Sequence, residues 1–138
     1  MNSFTDKIKL KCKNEVTIRK DCQNHAFISG NKRRKLKYNL AEAQFKKQSQ
    51  LLTFGGAYSN HIAAVAYAGM KYDFKTIGII RGEELAHKIH QNPTLSFAKE
   101  CGMQFKFISR AAYKEKTTTA FIKNLNKEFG DFYLLPEG

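Results

Sequence analysis

The chain has 138 residues, with 24 Lys and Arg against 12 Asp and Glu, a formal net charge of +12, and is 42% hydrophobic and 12% aromatic. That is enough to bury one real core but short for a two-domain enzyme. No apolar run approaches the roughly 20 residues needed to span a bilayer, and Met1 to Leu10 holds no apolar signal core, so a cytoplasmic protein without a membrane partner is expected.

Ile8, Leu10, Val16 and Ile18 alternate loosely between Ile8 and Lys20, which predicts one or two short strands. After Phe27-Ile28-Ser29-Gly30, the stretch Asn31 to Gln48 places Leu36, Leu40 and Ala43 at helical spacing, predicting an amphipathic helix with a basic outer face. Leu51 to Phe54 is too short for a helix and reads as a buried strand. Gly55-Gly56 then lets the backbone turn, and the alanine-rich run from Ile62 to Gly69 has good helix propensity. Phe74 to Ile80 is a second buried strand, and Arg81 to Gln91 is expected to be a polar link.

Asn92 as N-cap, Pro93 as first helical residue and Gly102 as stop delimit the next helix. Gln104 to Ser109 alternates as a third strand, Thr117 to Phe129 is helical, and Phe132 to Leu135 is a fourth strand. Strands separated by helices predict an α/β fold: an open, parallel four-stranded sheet with helices on both faces. Cys12, Cys22 and Cys101 are odd in number and lack CxxC or zinc-type spacing, which argues against a disulfide framework or a structural metal. Cys101, just before Gly102, is expected to be buried at a helix end.

Two places carry chemistry. A tight turn leaving the carboxyl end of a parallel strand aims the free N–H groups of the next helix above the sheet, where anions are favoured. Ser59 and Asn60 stand there, able either to cap the helix or to point at a phosphate, carboxylate or phenolic oxygen. Lys32 falls in the first turn of its helix, where the dipole disfavours a cation. Shielded from water, its amine would be partly neutral and able to condense with an aldehyde; otherwise it is one more solvated lysine of the basic run Lys32 to Lys37.

The stretches Phe27-Ile28-Ser29-Gly30-Asn31-Lys32 with Arg34-Lys35-Leu36-Lys37-Tyr38, and Thr53-Phe54-Gly55-Gly56-Ala57-Tyr58-Ser59-Asn60-His61, resemble the pyridoxal-phosphate enzymes of the 1-aminocyclopropane-1-carboxylate deaminase and D-cysteine desulfhydrase family. Asn92-Pro93-Thr94-Leu95 and Phe132 to Gly138 extend the resemblance from about Val16 onward. It implies the small domain of a tryptophan synthase β-like, fold type II enzyme. Lys32 would carry pyridoxal 5'-phosphate and act catalytically, Ser59 would be the active-site serine, and Asn60 would bond the cofactor's ring oxygen; His61 also matches the motif, but its place in a helix's first turn reads as that of a satisfied structural histidine. The substrate would be a small amino acid, D-cysteine or 1-aminocyclopropane-1-carboxylate.

The sequence departs from the family at Arg19-Lys20-Asp21-Cys22-Gln23, at His25-Ala26 and at Arg33. It also stops where a βα loop should open. The resemblance therefore implies residues 1–35 as an arm of the larger cofactor domain and 36–138 as the small domain, truncated before the phosphate cup and catalytic tyrosines. A full-length chain would be a homodimer, and this chain alone is expected to be inactive. The contrasting readings are a truncated, inactive relative and a basic α/β module using Lys32 to Lys37 on nucleic acid; the wide spread of the other lysines argues against specific nucleic-acid binding.

Overall fold

The computed structural model describes residues 5–9, 15–19, 28 and 31–137. Leu10, Cys12, Cys22, Phe27, Ser29 and Gly30, which entered the reading above, lie outside them. The two short N-terminal strands form a hairpin, β1 (Thr5–Lys9) antiparallel to β2 (Glu15–Arg19), with Ile8 opposite Val16.

The body follows as α1 (Lys32–Phe45), β3 (Gln50–Gly56), α2 (Asn60–Tyr72), β4 (Lys75–Arg81), α3 (Pro93–Glu100), β5 (Gln104–Ile108), α4 (Arg110–Lys114), α5 (Thr119–Phe129) and β6 (Tyr133–Leu134). β3 to β6 make one sheet in the order β5-β4-β3-β6, with every pairing parallel. The two central strands read as continuous apolar runs because both their faces are covered. Leu51 and Ile80 pack against Leu36, Leu40, Ile62, Val65 and Leu95 on the α1, α2 and α3 side. Leu52, Phe54, Ile77 and Ile79 pack against Tyr113 and Leu125 on the α4 and α5 side. The expected fold class is the observed one.

From β3 the chain steps one way to β4 and β5, then crosses back so that β6 joins the other side of β3. The strand order thus reverses between β3 and β6, and the loops leaving these strands diverge there. Open α/β sheets form their ligand crevices at such a point. The loop after β3 carries Ser59 and Asn60, and Leu135 to Glu137 follow β6.

Some local details differ from the sequence reading. β3 runs through Gly55 and Gly56, and the turn falls at Ala57 and Tyr58. Gly55 is needed for close approach instead: a Cβ there would meet Ile62 Cγ1 at 2.6 Å and Ser59 Oγ at 3.2 Å. Between Arg81 and Gln91 the chain is not a plain link but a 3-10 segment, Glu83–Gln91, interrupted at Lys88. The short helix α4 was not foreseen; it starts where Ser109 accepts a bond from the Ala112 N–H at 3.1 Å. Cys101 is half-buried at the end of α3, not buried, and its thiol is pushed up by desolvation and by Glu100. Among the described residues no helix is long and apolar enough to cross a membrane.

Candidate active site

The start of α2 is built by the loop that leaves β3. The Ser59 N–H donates to the Gly56 carbonyl at 3.1 Å, which closes the turn. Ser59 occupies the N-cap position with extended backbone, but its side chain makes no capping bond. Asn60, weighed as a possible cap, is the first helical residue and is exposed. Neither side chain is therefore consumed in satisfying the helix, and α2 opens at the sheet's carboxyl edge with free N–H donors.

α1 begins in the same way. Asn31 occupies its N-cap without a side-chain bond, and Lys32 is its first residue. Lys32 is half-buried, and its ammonium is pushed below the ordinary lysine value, first by burial and then by Lys35, against an opposing pull from Glu137. More of this amine is neutral at a given pH than for a fully solvated lysine.

His61 is the second residue of α2. It is 4% exposed, and its Nε2 is 2.9 Å from Thr53 Oγ1, itself fully buried. Thr53 has a single hydroxyl proton, which it donates to the Leu135 carbonyl at 2.9 Å. The imidazole must then be the donor to Thr53, so the proton sits on Nε2 and Nδ1 is an acceptor. Nδ1 is buried and has no hydrogen-bond partner. A satisfied structural histidine was expected; half of the ring meets that description, and the other half leaves an unmet acceptor that costs about 1–3 kcal/mol. Burial, reinforced by Lys32 and Lys35 against an opposing effect of Glu137, brings the ring's pKa down to about 4, so it is neutral at pH 7.

Two residues after Leu135 comes Glu137, which is held by α4 and the residues following it. Tyr113 Oη donates to Glu137 Oε1 at 2.8 Å, and Lys116 Nζ bonds the second carboxylate oxygen. Lys116 also stands 4.2 Å over the Tyr113 ring, and the Arg81 guanidinium 5.6 Å from it. Burial alone would raise the Glu137 pKa, but these two donors hold it below the ordinary carboxylate range. Burial and Glu137 push the Tyr113 hydroxyl the other way, so it stays protonated. Glu137 is thus a fixed anion within electrostatic reach of both Lys32 and His61.

No family model matches the chain. A protein of Thermotoga maritima that carries the name of 1-aminocyclopropane-1-carboxylate deaminase is 30% identical over 126 residues, 89% of this chain and 39% of that protein. The mitochondrial bifunctional D-cysteine desulfhydrase/1-aminocyclopropane-1-carboxylate deaminase of Arabidopsis thaliana is 30% identical over 132 residues, 90% of this chain and 32% of its own length. The chain belongs to the 1-aminocyclopropane-1-carboxylate deaminase and D-cysteine desulfhydrase family. It spans 39% and 32% of the length of these two curated relatives.

The solved structure of an ACC deaminase homologue superposes with a TM-score of 0.68 at 27% identity, covering 88% of this chain and 37% of that one. A hydrogen sulfide-producing enzyme of Fusobacterium nucleatum superposes with a TM-score of 0.67 at 14% identity, covering 96% of this chain and 42% of its own, and shares the fold alone. The parallel sheet with two helical layers is the fold type II architecture of this family.

Sequence reasoning singled out Lys32, Ser59, Asn60 and His61, all of which lie in the first turn of α1 or at the start of α2. It missed Thr53, Tyr113, Lys116 and Glu137. Thr53 looks like any β-branched strand residue, and the Tyr113–Lys116–Glu137 cluster joins α4 to a loop more than twenty residues downstream. No local spacing signals such a contact.

Proposed function

We propose that this chain contributes the lysine and the Ser59–Asn60 loop of a pyridoxal-phosphate-dependent deaminase or desulfhydrase, acting on a small amino acid such as D-cysteine or 1-aminocyclopropane-1-carboxylate. The observation that carries the reading is the pair of uncapped helix starts beside the point where strand order reverses, one with a shielded lysine and the other with an unused serine and asparagine. These residues suit the cofactor, which needs an amine able to lose its proton and polar groups free to bond its ring and the substrate carboxylate.

When bound, pyridoxal phosphate supplies an electron-withdrawing ring that stabilises negative charge developing on the substrate carbon. The chain's own residues do the rest. Lys32 would hold the cofactor through Nζ and would move a proton at that nitrogen. The Asn60 amide orients the ring oxygen. Ser59 and the first N–H groups of α2 receive a carboxylate. In this reading residues 1–35 belong to a larger cofactor domain and 36–138 form the small domain, within a cytoplasmic homodimer.

The test is to add pyridoxal phosphate to the chain, reduce with borohydride and map the modified lysines by mass spectrometry. Lys32 is expected to label ahead of Lys35 and Lys37, because its amine is half-buried and shifted toward the neutral form, and the excess should vanish in Lys32→Ala. Labelling at Lys32 no greater than at its neighbours sinks the proposal. Release of pyruvate or 2-oxobutanoate is expected from neither protein. Gly55-Gly56 is the only double glycine in the sequence and forms the end of β3 just ahead of the Ser59 turn, so it cannot also cradle the cofactor phosphate.

A further inference from the structure

We propose that Arg81, together with the bare backbone of Gly56 beside it, forms a subsite for a small-molecule carboxylate on the opposite side of β3 from Ser59. Arg81 is the last residue of β4 and pairs in register with Gly56 of β3 and Ile108 of β5, so it stands at the carboxyl edge of the central strands. Successive positions along a strand face opposite ways. A side chain at Gly55 would meet Ile62 and Ser59 on the α2 side, whereas one at Gly56 would approach Arg81, whose Nη2 lies 3.8 Å from the place of that Cβ. The Gly56 carbonyl accepts the Ser59 N–H at 3.1 Å, so both sides of the strand meet at one turn.

Arg81 is exposed, and its guanidinium is held 5.6 Å from the centre of the Tyr113 ring. Lys116 stands over the same ring. Two cations thus share this place with one carboxylate, that of Glu137, and both of its oxygens are taken, one by Tyr113 Oη and the other by Lys116 Nζ. Glu84 is paired with Arg110. Among the described residues no carboxylate or other acceptor bonds the Arg81 guanidinium. One positive charge with a planar fork of N–H donors is left over. It matches a monoanionic carboxylate in charge and shape, and does so better than a phosphate group carrying about −1.5 to −2.

The glycine is an independent observation. Gly55 is required by the packing of Ile62, but Gly56 has no such reason: its φ is not positive, and among the described residues the Arg81 nitrogen is all that a Cβ would find within 4 Å, at an ordinary contact distance. Alanine would fit there, and glycine weakens a strand relative to alanine. A strand glycine that neither backbone nor packing demands leaves room for another molecule to approach the chain closely. The inference goes beyond the proposed function, since it involves neither Lys32 nor the cofactor. An amino acid and a 2-oxo acid both carry the group that this subsite would read.

The test is 1H–15N NMR of the chain titrated with 1-aminocyclopropane-1-carboxylate, 2-oxobutanoate, cyclopropylamine and inorganic phosphate, following the Arg81 Nε–H and the Gly56 amide. The carboxylates should shift these two signals, cyclopropylamine should not, and phosphate should bind more weakly. Equal affinity for the two acids means that the carboxylate alone is read, and a preference identifies the acid that is the source. Arg81→Gln should raise the dissociation constant about tenfold or more, as loss of a charge-assisted pair does. Gly56→Ala should raise it comparably while leaving the urea midpoint no lower than the parent's. Shifts caused by cyclopropylamine, no response to either acid, tighter binding of phosphate, or an affinity untouched by Arg81→Gln would make Arg81 a solvated surface residue and overturn the subsite. A Gly56→Ala protein that binds like the parent, or that unfolds at lower urea, overturns it as well. Pyridoxal phosphate is left out of every titration, so this result and the labelling of Lys32 can fail separately.

Discussion

The starts of α3 and α2 show two ways of beginning a helix. At α3, the Asn92 side chain accepts from the N–H groups of Thr94 at 2.9 Å and Leu95 at 3.1 Å, Pro93 follows, and the cap is buried. Ser109 and Thr118 cap α4 and α5 by the same chemistry. At α2, Ser59 is as good a capping residue as any of these, yet its oxygen is unused. α2 is instead secured from below, by His61 reaching down to Thr53. A helix tied by its second residue to the sheet does not need its cap, and the cap side chain is left for something else. α1, which carries Lys32, likewise starts without a side-chain cap. The starts of α3, α4 and α5 are capped by a side chain, and the two that are not carry Lys32 and Ser59.

The comparison is most exposed at Thr53, because the tie replaces a cap only if it carries real energy. Thr53→Val keeps shape but removes the hydroxyl, leaving the Leu135 carbonyl and the His61 Nε2 proton buried without partners. The expected loss is about 3 kcal/mol in urea unfolding, since each orphaned group costs about 1–3 kcal/mol. A loss below 1 kcal/mol would mean the tie is incidental.

Acid offers a second approach to the same tie. The His61 ring is brought to about 4 from an ordinary 6.5, so between those values the unfolded chain binds a proton that the folded chain refuses. Stability must then fall as the pH drops through that window. At pH 4.5 the loss attributable to this ring is on the order of 2 kcal/mol. Glu42 and Glu137 are held below their ordinary range, so much of their own contribution disappears at lower pH. Subtracting the profile of His61→Gln from that of the parent isolates the ring, and parallel profiles would show that His61 is solvated in solution.

Much of this was legible before any coordinates. The strands at Leu51, Phe74 and Gln104 and the helix behind Asn92-Pro93 appeared where periodicity and capping chemistry put them, because those signals are local and strong. The glycine pair was read as a turn because glycine's backbone freedom is the commoner reason for it, whereas Gly55 is required by Ile62 packing 2.6 Å from where its Cβ would be. For Lys32 the sequence left open a shielded amine or one more solvated lysine; the lysine is half-buried and its pKa is lowered, first by burial. What no reading of the chain could supply was the link from Thr53 to Leu135, 82 residues away, or the clamp on Glu137. Both depend on β6 crossing back beside β3, a fact of topology and not of local sequence.

The smallest expected effect is also the most direct check of the comparison. Asn92→Ala removes a buried cap serving two N–H groups and should cost about 1–2 kcal/mol. Ser59→Ala removes a hydroxyl of the same capping class at the equivalent position of a longer helix, but one that bonds no helical N–H. Its backbone N–H still closes the turn onto the Gly56 carbonyl, and its carbonyl still accepts from Ala63 at 3.4 Å, so nothing that secures α2 is touched. Ser59→Ala should therefore stay within about 0.5 kcal/mol of the parent, as surface changes away from caps and cores do. Paired urea melts of the two variants measure the difference. If Ser59→Ala proves as costly as Asn92→Ala, the serine caps α2 in solution, and the claim that its oxygen is held free for a ligand is wrong.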